Sequence, residues 1–182
     1  KMAELSDNGV EIHIFTGNHD IWMFGYFEKE LGAIVHHKEL ITEIDGKKFY
    51  IAHGDGLGDP SISFRILRKF FRNKPCQALY KTIHPRLTVP LGYAWSRHNR
   101  KKKIGLKSEK YLGEKQEYLV EFAKKHAQDN DIDFYVFGHR HIVLDLLITP
   151  KQRVAILGDW IQNFSYGMWD GNNFSVEYFL NE

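Results

Sequence analysis

The N-terminal third of the chain alternates between apolar and polar positions in a pattern typical of β-strands. Residues 10–15 alternate and are rich in β-branched and aromatic side chains, so they predict a strand that ends at a polar cluster. Residues 40–44 and 48–52 predict a second pair of strands, because Asp45-Gly46 between them is a strong two-residue hairpin signal. The sequence therefore predicts a strand and a hairpin, each followed by a polar loop.

A helical period replaces this alternation in the middle of the chain. In residues 62–72, apolar side chains recur on one face of a predicted helix and cationic side chains on the other. The apolar set is Ile62, Ile66, Leu67, Phe70 and Phe71, and the cationic set is Arg65, Arg68, Lys69 and Arg72. A second helix, of mixed charge, is predicted within residues 113–127 from the helical spacing of Tyr118, Leu119, Phe122 and Ala123.

The C-terminal part of the chain returns to short apolar runs. Residues 133–137 suit a buried strand, and further strands are predicted at 143–148, 153–157 and 174–180. Strands that alternate with helices and are followed by late hairpins predict an α/β sandwich with some antiparallel pairing. We expect a single domain over residues 1–182.

Length and composition agree with one folded domain. The chain has 182 residues, of which 43% are apolar and 26% charged, enough to bury one substantial core. Cys76 is the one cysteine, so the sequence offers no disulfide and no cluster of thiolates for a metal. No apolar run approaches the roughly 18 residues of a membrane span. Because the first residue is Lys, we expect the chain to be part of a longer protein.

Charge is distributed unevenly along the chain. Residues 60–112 contain fourteen Lys or Arg side chains and one acid, Glu109, so this segment carries about +13 although the net charge of the chain is +2. Such a segment can attract phosphate, nucleic acid or an anionic membrane surface. We call residues 60–112 the basic insertion and expect it to be helical.

Three predicted strands end in clusters of Asn, His or Asp beside glycine. The clusters are Gly17-Asn18-His19-Asp20, His53-Gly54-Asp55 and Gly138-His139-Arg140-His141. Ligands gather at the carboxyl ends of strands in α/β sheets, so the clusters predict one functional site. Imidazoles and an amide oxygen form a mixed set that suits Mn, Fe or Zn, and the candidate metal ligands are Asn18, His53, His139 and His141. We interpret the other histidines outside the basic insertion as structural, namely His13, His36, His37 and His126.

These motifs, in this order, resemble those of the calcineurin-like metallophosphoesterases, whose pattern runs Asp-x-His, Gly-Asp, Gly-Asn-His-Asp/Glu, His and Gly-His-x-His. The resemblance implies a metallophosphoesterase-type α/β sandwich, with mixed sheets flanked by helices, that is truncated at its N-terminus. It also implies two divalent metal ions, with Mn the expected metal. One ion would be held by Asn18, His53 and His139 and the other by His141, and a hydroxide that bridges them would attack phosphorus.

The resemblance assigns catalytic roles to the two residues after Asn18. His19 would protonate the leaving oxygen or stabilise its charge, and Asp20 would hold the imidazole in the useful tautomer.

Two motifs of the family pattern, Asp-x-His and the bridging Gly-Asp, have no counterpart before Gly17. Glu11-x-His13 is superficially similar to the first, but it lies near the beginning of its predicted strand and away from the ligand edge. Gly158-Asp159 is similar to the second, but it follows the last histidine motif, and we interpret Asp159 as structural. We therefore expect an incomplete metal site in this chain and the two motifs upstream of it.

Within that superfamily the chain resembles the UDP-2,3-diacylglucosamine diphosphatases of lipid A biosynthesis over most of its length. Those enzymes place a basic, helical, membrane-facing insertion between His-Gly-Asp-x-Leu and Gly-His-x-His, as this chain does after His53. They also carry Gly-Asp-Trp after a late strand, matching Gly158-Asp159-Trp160. The implied reaction is hydrolysis of a pyrophosphate bond to give UMP and the lipid 1-phosphate. Better-known diphosphatases carry Arg where this chain has His19, whereas His is usual in the wider superfamily.

The basic insertion supplies the candidate substrate contacts. Lys107 and Lys110 lie three residues apart on one predicted helical face and are candidate clamps for the diphosphate, and Arg97 is a further candidate. The apolar residues of the insertion, including Phe64, are expected to meet acyl chains or the lipid boundary, and the cations to meet anionic head groups. The resemblance thus implies a cytoplasmic protein that lies peripherally on the inner face of the membrane.

Three other interpretations remain open at this point. The apolar face of the first helix can simply pack on the core, as in most amphipathic helices. The protein can be a phosphodiesterase or phosphatase for nucleotides, nucleic acid or phosphoprotein, although it has no obvious nucleic-acid recognition motif. It can also be a noncatalytic, membrane-binding relic of the fold.

Overall fold

The chain folds into strands and helices that alternate and then give way to hairpins. The structure, a computed structural model, describes residues 1–21, 23–103 and 110–179. The described helices are α1 (Met2–Asp7), α2 (Tyr26–Leu31), α3 (Ile62–Phe71), α4 (Lys74–Lys81), α5 (Pro85–Lys103) and α6 (Tyr118–Asp129). The described strands are β1 (His13–Phe15), β2 (Ile34–His36), β3 (Leu40–Ile44), β4 (Lys47–Ala52), β5 (Phe134–Phe137), β6 (Val143–Leu147), β7 (Arg153–Leu157), β8 (Ser165–Trp169) and β9 (Phe174–Tyr178).

A five-stranded mixed sheet forms the centre of the fold, in the order β3-β4-β5-β7-β6. β4 pairs in parallel with β5, and β5 with β7, while β3 and β6 add antiparallel edges. Ala52 lies opposite Phe137 at the end of the β4–β5 ladder, so His53 and Gly138 follow at the same edge of the sheet. The predicted α/β sandwich is confirmed, and the predicted strands of this sheet are correct to within one residue at each end.

The two faces of the central sheet bury different sets of side chains. On one face, side chains of α6 pack against the sheet in a cluster that includes Leu119, Val120, Ala123, Tyr135, Phe137 and Ile156. On the other face, β9 contributes to a cluster of Phe49, Val136, Ala155 and Phe174. Successive residues of a strand point to opposite faces, which is why Tyr135 and Val136 belong to different clusters.

A smaller sheet carries the first motif. β1 and β2 pair in parallel, and α2 lies on the connection between them. The predicted strand over residues 10–15 is wrong at its start, because β1 begins at His13, although the carbonyl of Ile12 still accepts a hydrogen bond from the backbone of Ile34 (2.9 Å). β2 was not predicted, since three residues are too few for an alternating pattern to be visible.

Two further expectations are corrected by the structure. The helix predicted from residue 113 begins at Tyr118, because Gly113 has a left-handed backbone (φ 95°) and starts a 3₁₀ turn at Glu114–Gln116. β8 was not predicted, because Gly167 weakens its strand pattern; a Cβ at Gly167 would lie 2.9 Å from the Phe174 ring, which explains the glycine. The last strand ends at Tyr178, and Leu180, in its predicted range, lies outside the described residues.

The described part of the basic insertion is helical, as predicted, but its first helix is oriented opposite to the usual amphipathic helix. Ile62, Ile66 and Phe70 of α3 are 66%, 64% and 58% exposed. Arg68 and Arg72 instead face the body of the protein, where both contact the buried Asp55. The interpretation in which the apolar face packs on the core is therefore wrong for these three side chains.

Among the helices that the structure describes, none combines the length and the apolar character that crossing a bilayer requires.

Truncation of Leu119 tests the packing of α6 on the sheet. This side chain is fully buried, so Leu119→Ala should lower the free energy of unfolding by about 2–5 kcal/mol in urea titrations. Leu147→Ala is the matched control, because Leu147 is 70% exposed and its truncation should change the free energy by less than about 0.5 kcal/mol. Equal effects of the two substitutions would contradict the assignment of the core.

Candidate metal centre

Three loops that follow strands meet beside one edge of the central sheet. Asn18 follows β1, His53 follows β4, and His139 follows β5. The β4–β5 ladder continues into two of these loops, since the backbone N–H of Gly138 donates to the carbonyl oxygen of His53 (3.2 Å). The expected convergence of the motifs is therefore present for these three loops.

Asn18 and His53 are in direct contact. The Oδ1 atom of Asn18 lies 3.3 Å from Nε2 of His53, within hydrogen-bonding distance, so an amide oxygen and an imidazole nitrogen face each other. Gly17 makes this approach possible, because a Cβ there would lie 2.7 Å from Cε1 of His53. The glycine of this motif thus leaves room for the His53 ring.

His139 packs beside His53 in an environment that favours the neutral ring. The two ring centroids are 5.2 Å apart and the rings meet edge to face. Burial lowers the pKa of His139 to about 4, with the neighbouring His53 acting in the same direction. Burial also lowers the pKa of His53, against the opposing effect of Asp55. Both rings are therefore neutral near pH 7, which is the form in which imidazole binds a metal.

The backbone of the last motif adopts an unusual conformation. His139 and His141 have φ angles of 63° and 50°, in the left-handed region that side chains with a Cβ rarely occupy. Backbone strain of this kind is concentrated at functional sites, where the surrounding structure holds it. In this loop His139 packs against His53, whereas His141 contacts Asp159.

His141 contacts Asp159, and it is also near enough to His139 to help lower the pKa of that ring. Its Nδ1 atom lies 3.2 Å from Oδ2 of Asp159, and its backbone carbonyl accepts a hydrogen bond from the Asn163 side chain (3.3 Å). Asp159 also accepts three backbone N–H groups, from Ile161, Gln162 and Asn163, at 2.7–3.2 Å. These bonds hold the pKa of Asp159 below its usual value despite partial desolvation. Asp159 therefore caps its own loop through backbone hydrogen bonds, and sequence reasoning missed its contact with a candidate ligand.

The candidate catalytic pair, His19 and Asp20, lies on the exposed side of the site. Both residues are near enough to His53 to act on its pKa, Asp20 raising it and His19 lowering it. Within the described part of the chain, no hydrogen bond joins the two side chains. The structure therefore places them at the site but does not show Asp20 holding the His19 ring.

Asp55 connects the second motif to the basic insertion. Its carboxylate is 4% exposed, accepts a hydrogen bond from Nε of Arg68 (2.7 Å) and contacts Nη2 of Arg72 with both oxygens (3.1 and 3.2 Å). Arg72 also donates to the carbonyl of His37 (3.1 Å). Sequence reasoning missed this role, because Arg68 and Arg72 appeared to form the solvated face of the helix.

The candidate substrate-binding residues are only partly described. Arg97 lies in α5, and Lys110 is the first residue that the structure describes after residue 103. Both side chains are exposed. Lys107 lies outside the described residues. The backbone carbonyl of Lys110 accepts a hydrogen bond from Arg140 (3.4 Å), so Lys110 is attached to the loop that carries His139 and His141.

Comparison with curated proteins identifies the family. The chain is 44% identical over 188 aligned residues to the UDP-2,3-diacylglucosamine hydrolase of Porphyromonas gingivalis. The alignment covers 97% of this chain and 72% of that protein. The chain belongs to this family. Two UDP-2,3-diacylglucosamine hydrolases, of Yersinia pestis bv. Antiqua (strain Angola) and Yersinia pseudotuberculosis serotype O:3 (strain YPIII), are each 26% identical over 87% of the chain, which spans 65% of their length. No family model matches the chain.

Membership in the UDP-2,3-diacylglucosamine hydrolase family makes the protein a hydrolase, so the fit of its candidate ligands to a metal can be examined. Asn18, His53 and His139 offer neutral oxygen and nitrogen donors, and the first two already lie within 3.3 Å of each other. Over residues 1–21, 23–103 and 110–179, however, no three His, Cys, Asp or Glu side chains are grouped so that they could hold a metal ion. The donor chemistry therefore fits a divalent transition metal, with only part of a ligand set in place.

The close approach of Gly17 to His53 gives a direct test of the site. Gly17→Ala places a methyl group 2.7 Å from Cε1 of His53, so the ring must shift and its contact with Asn18 is disturbed. We expect the affinity for Mn²⁺, measured by titration calorimetry, to fall by about tenfold, as for other changes that misorient a ligand. Gly92→Ala is the control, because nothing lies within 4 Å of a Cβ at that position. Unchanged affinity in Gly17→Ala would exclude His53 as a ligand held next to Asn18.

Proposed function

We propose that this protein hydrolyses the pyrophosphate bond of UDP-2,3-diacylglucosamine and releases UMP and the lipid 1-phosphate. The observation that carries this proposal is the convergence of Asn18, His53 and His139 in a chain 44% identical to a UDP-2,3-diacylglucosamine hydrolase over 97% of its length. The protein named in that comparison acts on a nucleotide-linked glycolipid, and we propose the same class of substrate here. The basic insertion that lies between the second and third motifs suits a substrate that carries both a diphosphate and acyl chains.

Two divalent metal ions, with Mn the expected metal and Fe or Zn the alternatives, belong to this proposal. Asn18, His53 and His139 would hold one ion, and His141 would contribute to the other. Two ions in such a site stabilise the charge that develops at phosphorus and activate water for an in-line displacement. The lowered pKa values of His53 and His139 support this role, because protons do not compete for their ring nitrogens near pH 7.

The remaining roles belong to side chains around the candidate ligands. Nδ1 of His141 lies 3.2 Å from Oδ2 of Asp159, and a hydrogen bond from Nδ1 to this carboxylate would fix the tautomer that leaves Nε2 with a free lone pair. His19 lies on the exposed side of the site, where it can give a proton to the leaving oxygen or stabilise its charge. Arg97, Lys107 and Lys110 would attract the diphosphate, as cations on the basic insertion.

The basic insertion also suits an anionic membrane surface. Ile62, Ile66 and Phe70 of α3 are exposed in a segment of about +13 net charge, the combination that draws a helix into the headgroup boundary. Phe64, which sequence reasoning placed with this lipid-facing group, instead lies 6.1 Å from the His139 ring. We therefore propose a peripheral position on the cytoplasmic face of the inner membrane, with α3 at the boundary and Phe64 directed to the site.

Product analysis tests the proposed reaction. The full-length protein with Mn²⁺ should release UMP from UDP-2,3-diacylglucosamine in detergent micelles, and His139→Gln should lower kcat by about 10²-fold or more. His126→Gln is the matched control, because His126 is a half-buried residue of α6 whose ring is hydrogen-bonded to the hydroxyl of Tyr135 on β5 (3.0 Å) and is not among the candidate ligands. Activity confined to an aryl phosphodiester and single-stranded DNA would contradict the proposal and favour a general phosphodiesterase.

Membrane binding is tested by polar substitutions on the exposed face of α3. The Ile66→Ser/Phe70→Ser double variant should sediment with anionic vesicles about tenfold less strongly than the unmodified protein, because two exposed apolar side chains are removed. Ile41→Ser/Leu147→Ser is the control, since it removes two exposed apolar side chains outside the insertion. Equal losses in the two double variants would show that α3 is not the lipid contact.

A further inference from the structure

The C-terminal end of the basic insertion is attached to the last motif by a buried ion pair. Glu117, at the start of α6, has a fully buried side chain, and Arg140 stands between the candidate ligands His139 and His141. The Nε atom of Arg140 donates to one carboxylate oxygen of Glu117 (2.9 Å) and Nη2 donates to the other (2.8 Å). This two-bond geometry is the strongest form of an arginine–carboxylate pair and fixes the orientation of both groups.

The position of Arg140 in the sequence would otherwise favour a contact with the substrate phosphate. A cation between two metal-ligand candidates is well placed to meet an anion, yet the guanidinium side chain is 11% exposed and is directed at Glu117. Tyr118 lies beneath it, with its ring centroid 5.9 Å from Cζ. The guanidinium of Arg140 is therefore paired with a carboxylate of the protein itself.

The same pair binds the backbone where the insertion ends. Oε1 of Glu117 accepts a hydrogen bond from the backbone N–H of Leu112 (3.3 Å). Nη2 of Arg140 donates to the carbonyl oxygen of Lys110 (3.4 Å). Two backbone groups on either side of Tyr111 are thus held by an ion pair whose other end is the histidine loop.

We propose that Arg140 and Glu117 are positioning residues that hold Lys110 at a fixed place beside the histidine loop, so that its ammonium group binds the diphosphate of the substrate. This inference rests on the proposed function, since it assigns Lys110 to the same substrate. The pair acts through the backbone at 110–112, and it leaves the Lys110 side chain exposed for the ligand. The candidate metal ligands and the lysine that binds the substrate would then move as one unit, although they come from different parts of the chain.

The test replaces the pair with apolar side chains, because removing one partner leaves a buried charge and can unfold the protein. The variant is Arg140→Met/Glu117→Leu in the full-length protein. Its matched control is Arg153→Met/Asp145→Leu, which removes an arginine–carboxylate pair of the same two-bond geometry (2.5 and 2.6 Å) between β6 and β7. Both variants are compared with the unmodified protein by urea unfolding, so that a general loss of stability is recognised.

Three measurements separate positioning from a merely structural role. The KM for UDP-2,3-diacylglucosamine should rise about tenfold in the Arg140/Glu117 variant and stay within about twofold in the Arg153/Asp145 control. The loss of kcat/KM should be at least about fivefold smaller on an aryl phosphodiester, which has no diphosphate for Lys110 to bind. The amide hydrogen of Leu112 should exchange faster, because its acceptor is gone.

A double-mutant cycle with Lys110→Ala decides the mechanism. In the unmodified protein Lys110→Ala should raise KM about tenfold, whereas in the Arg140/Glu117 variant it should add less than about twofold, because the lysine is already misplaced. The proposal would be overturned if Lys110→Ala raised KM by the same factor in both backgrounds. It would also be overturned if the amide hydrogen of Leu112 exchanged at an unchanged rate in the Arg140/Glu117 variant. Absence of UMP release by the unmodified protein would instead contradict the proposed function, while the exchange measurement would still report on the ion pair.

Discussion

The parallel pairing of β4 with β5 is the interaction on which the site depends. It brings Ala52 opposite Phe137, and it continues beyond the strands as a hydrogen bond from the Gly138 N–H to the His53 carbonyl. Two motifs that are more than eighty residues apart in the sequence are thereby joined by backbone geometry. Side chains then decide the details: Gly17 leaves space for the His53 ring, and burial keeps the rings of His53 and His139 neutral.

Buried ion pairs attach the basic insertion to this site at both of its ends. Asp55, two residues after His53, binds Arg68 and Arg72 of α3. Arg140, between His139 and His141, binds Glu117 where the insertion returns to the core. Charges that are removed from water stabilise a structure only when their geometry is well satisfied, and both carboxylates meet this condition. These ion pairs therefore fix both ends of a strongly cationic segment to loops that carry candidate ligands.

Local patterns in the sequence were sufficient for much of the fold and for the meeting of the loops that carry Asn18, His53 and His139. Apolar runs such as residues 153–157 are long enough to identify strands, and polar clusters beside glycine mark the loops that follow three of them. Long-range pairing accounts for what was missed. The orientation of α3 depends on Asp55, which no helical periodicity reveals, and Asp159 meets His141 only because β7 ends beside the histidine loop. Likewise, no sequence pattern around Arg140 predicts its ion pair with Glu117, which lies 23 residues earlier in the chain.

The central claim is that three loops from two sheets combine to hold divalent metal. Anomalous diffraction from crystals of the full-length protein grown with Mn²⁺ tests this most directly. The account predicts a peak at about 2.0–2.3 Å from a ring nitrogen of His53 and of His139 and from Oδ1 of Asn18. A second peak is expected next to His141. Peaks confined to other parts of the molecule, with His53 and His139 free of metal, would contradict it.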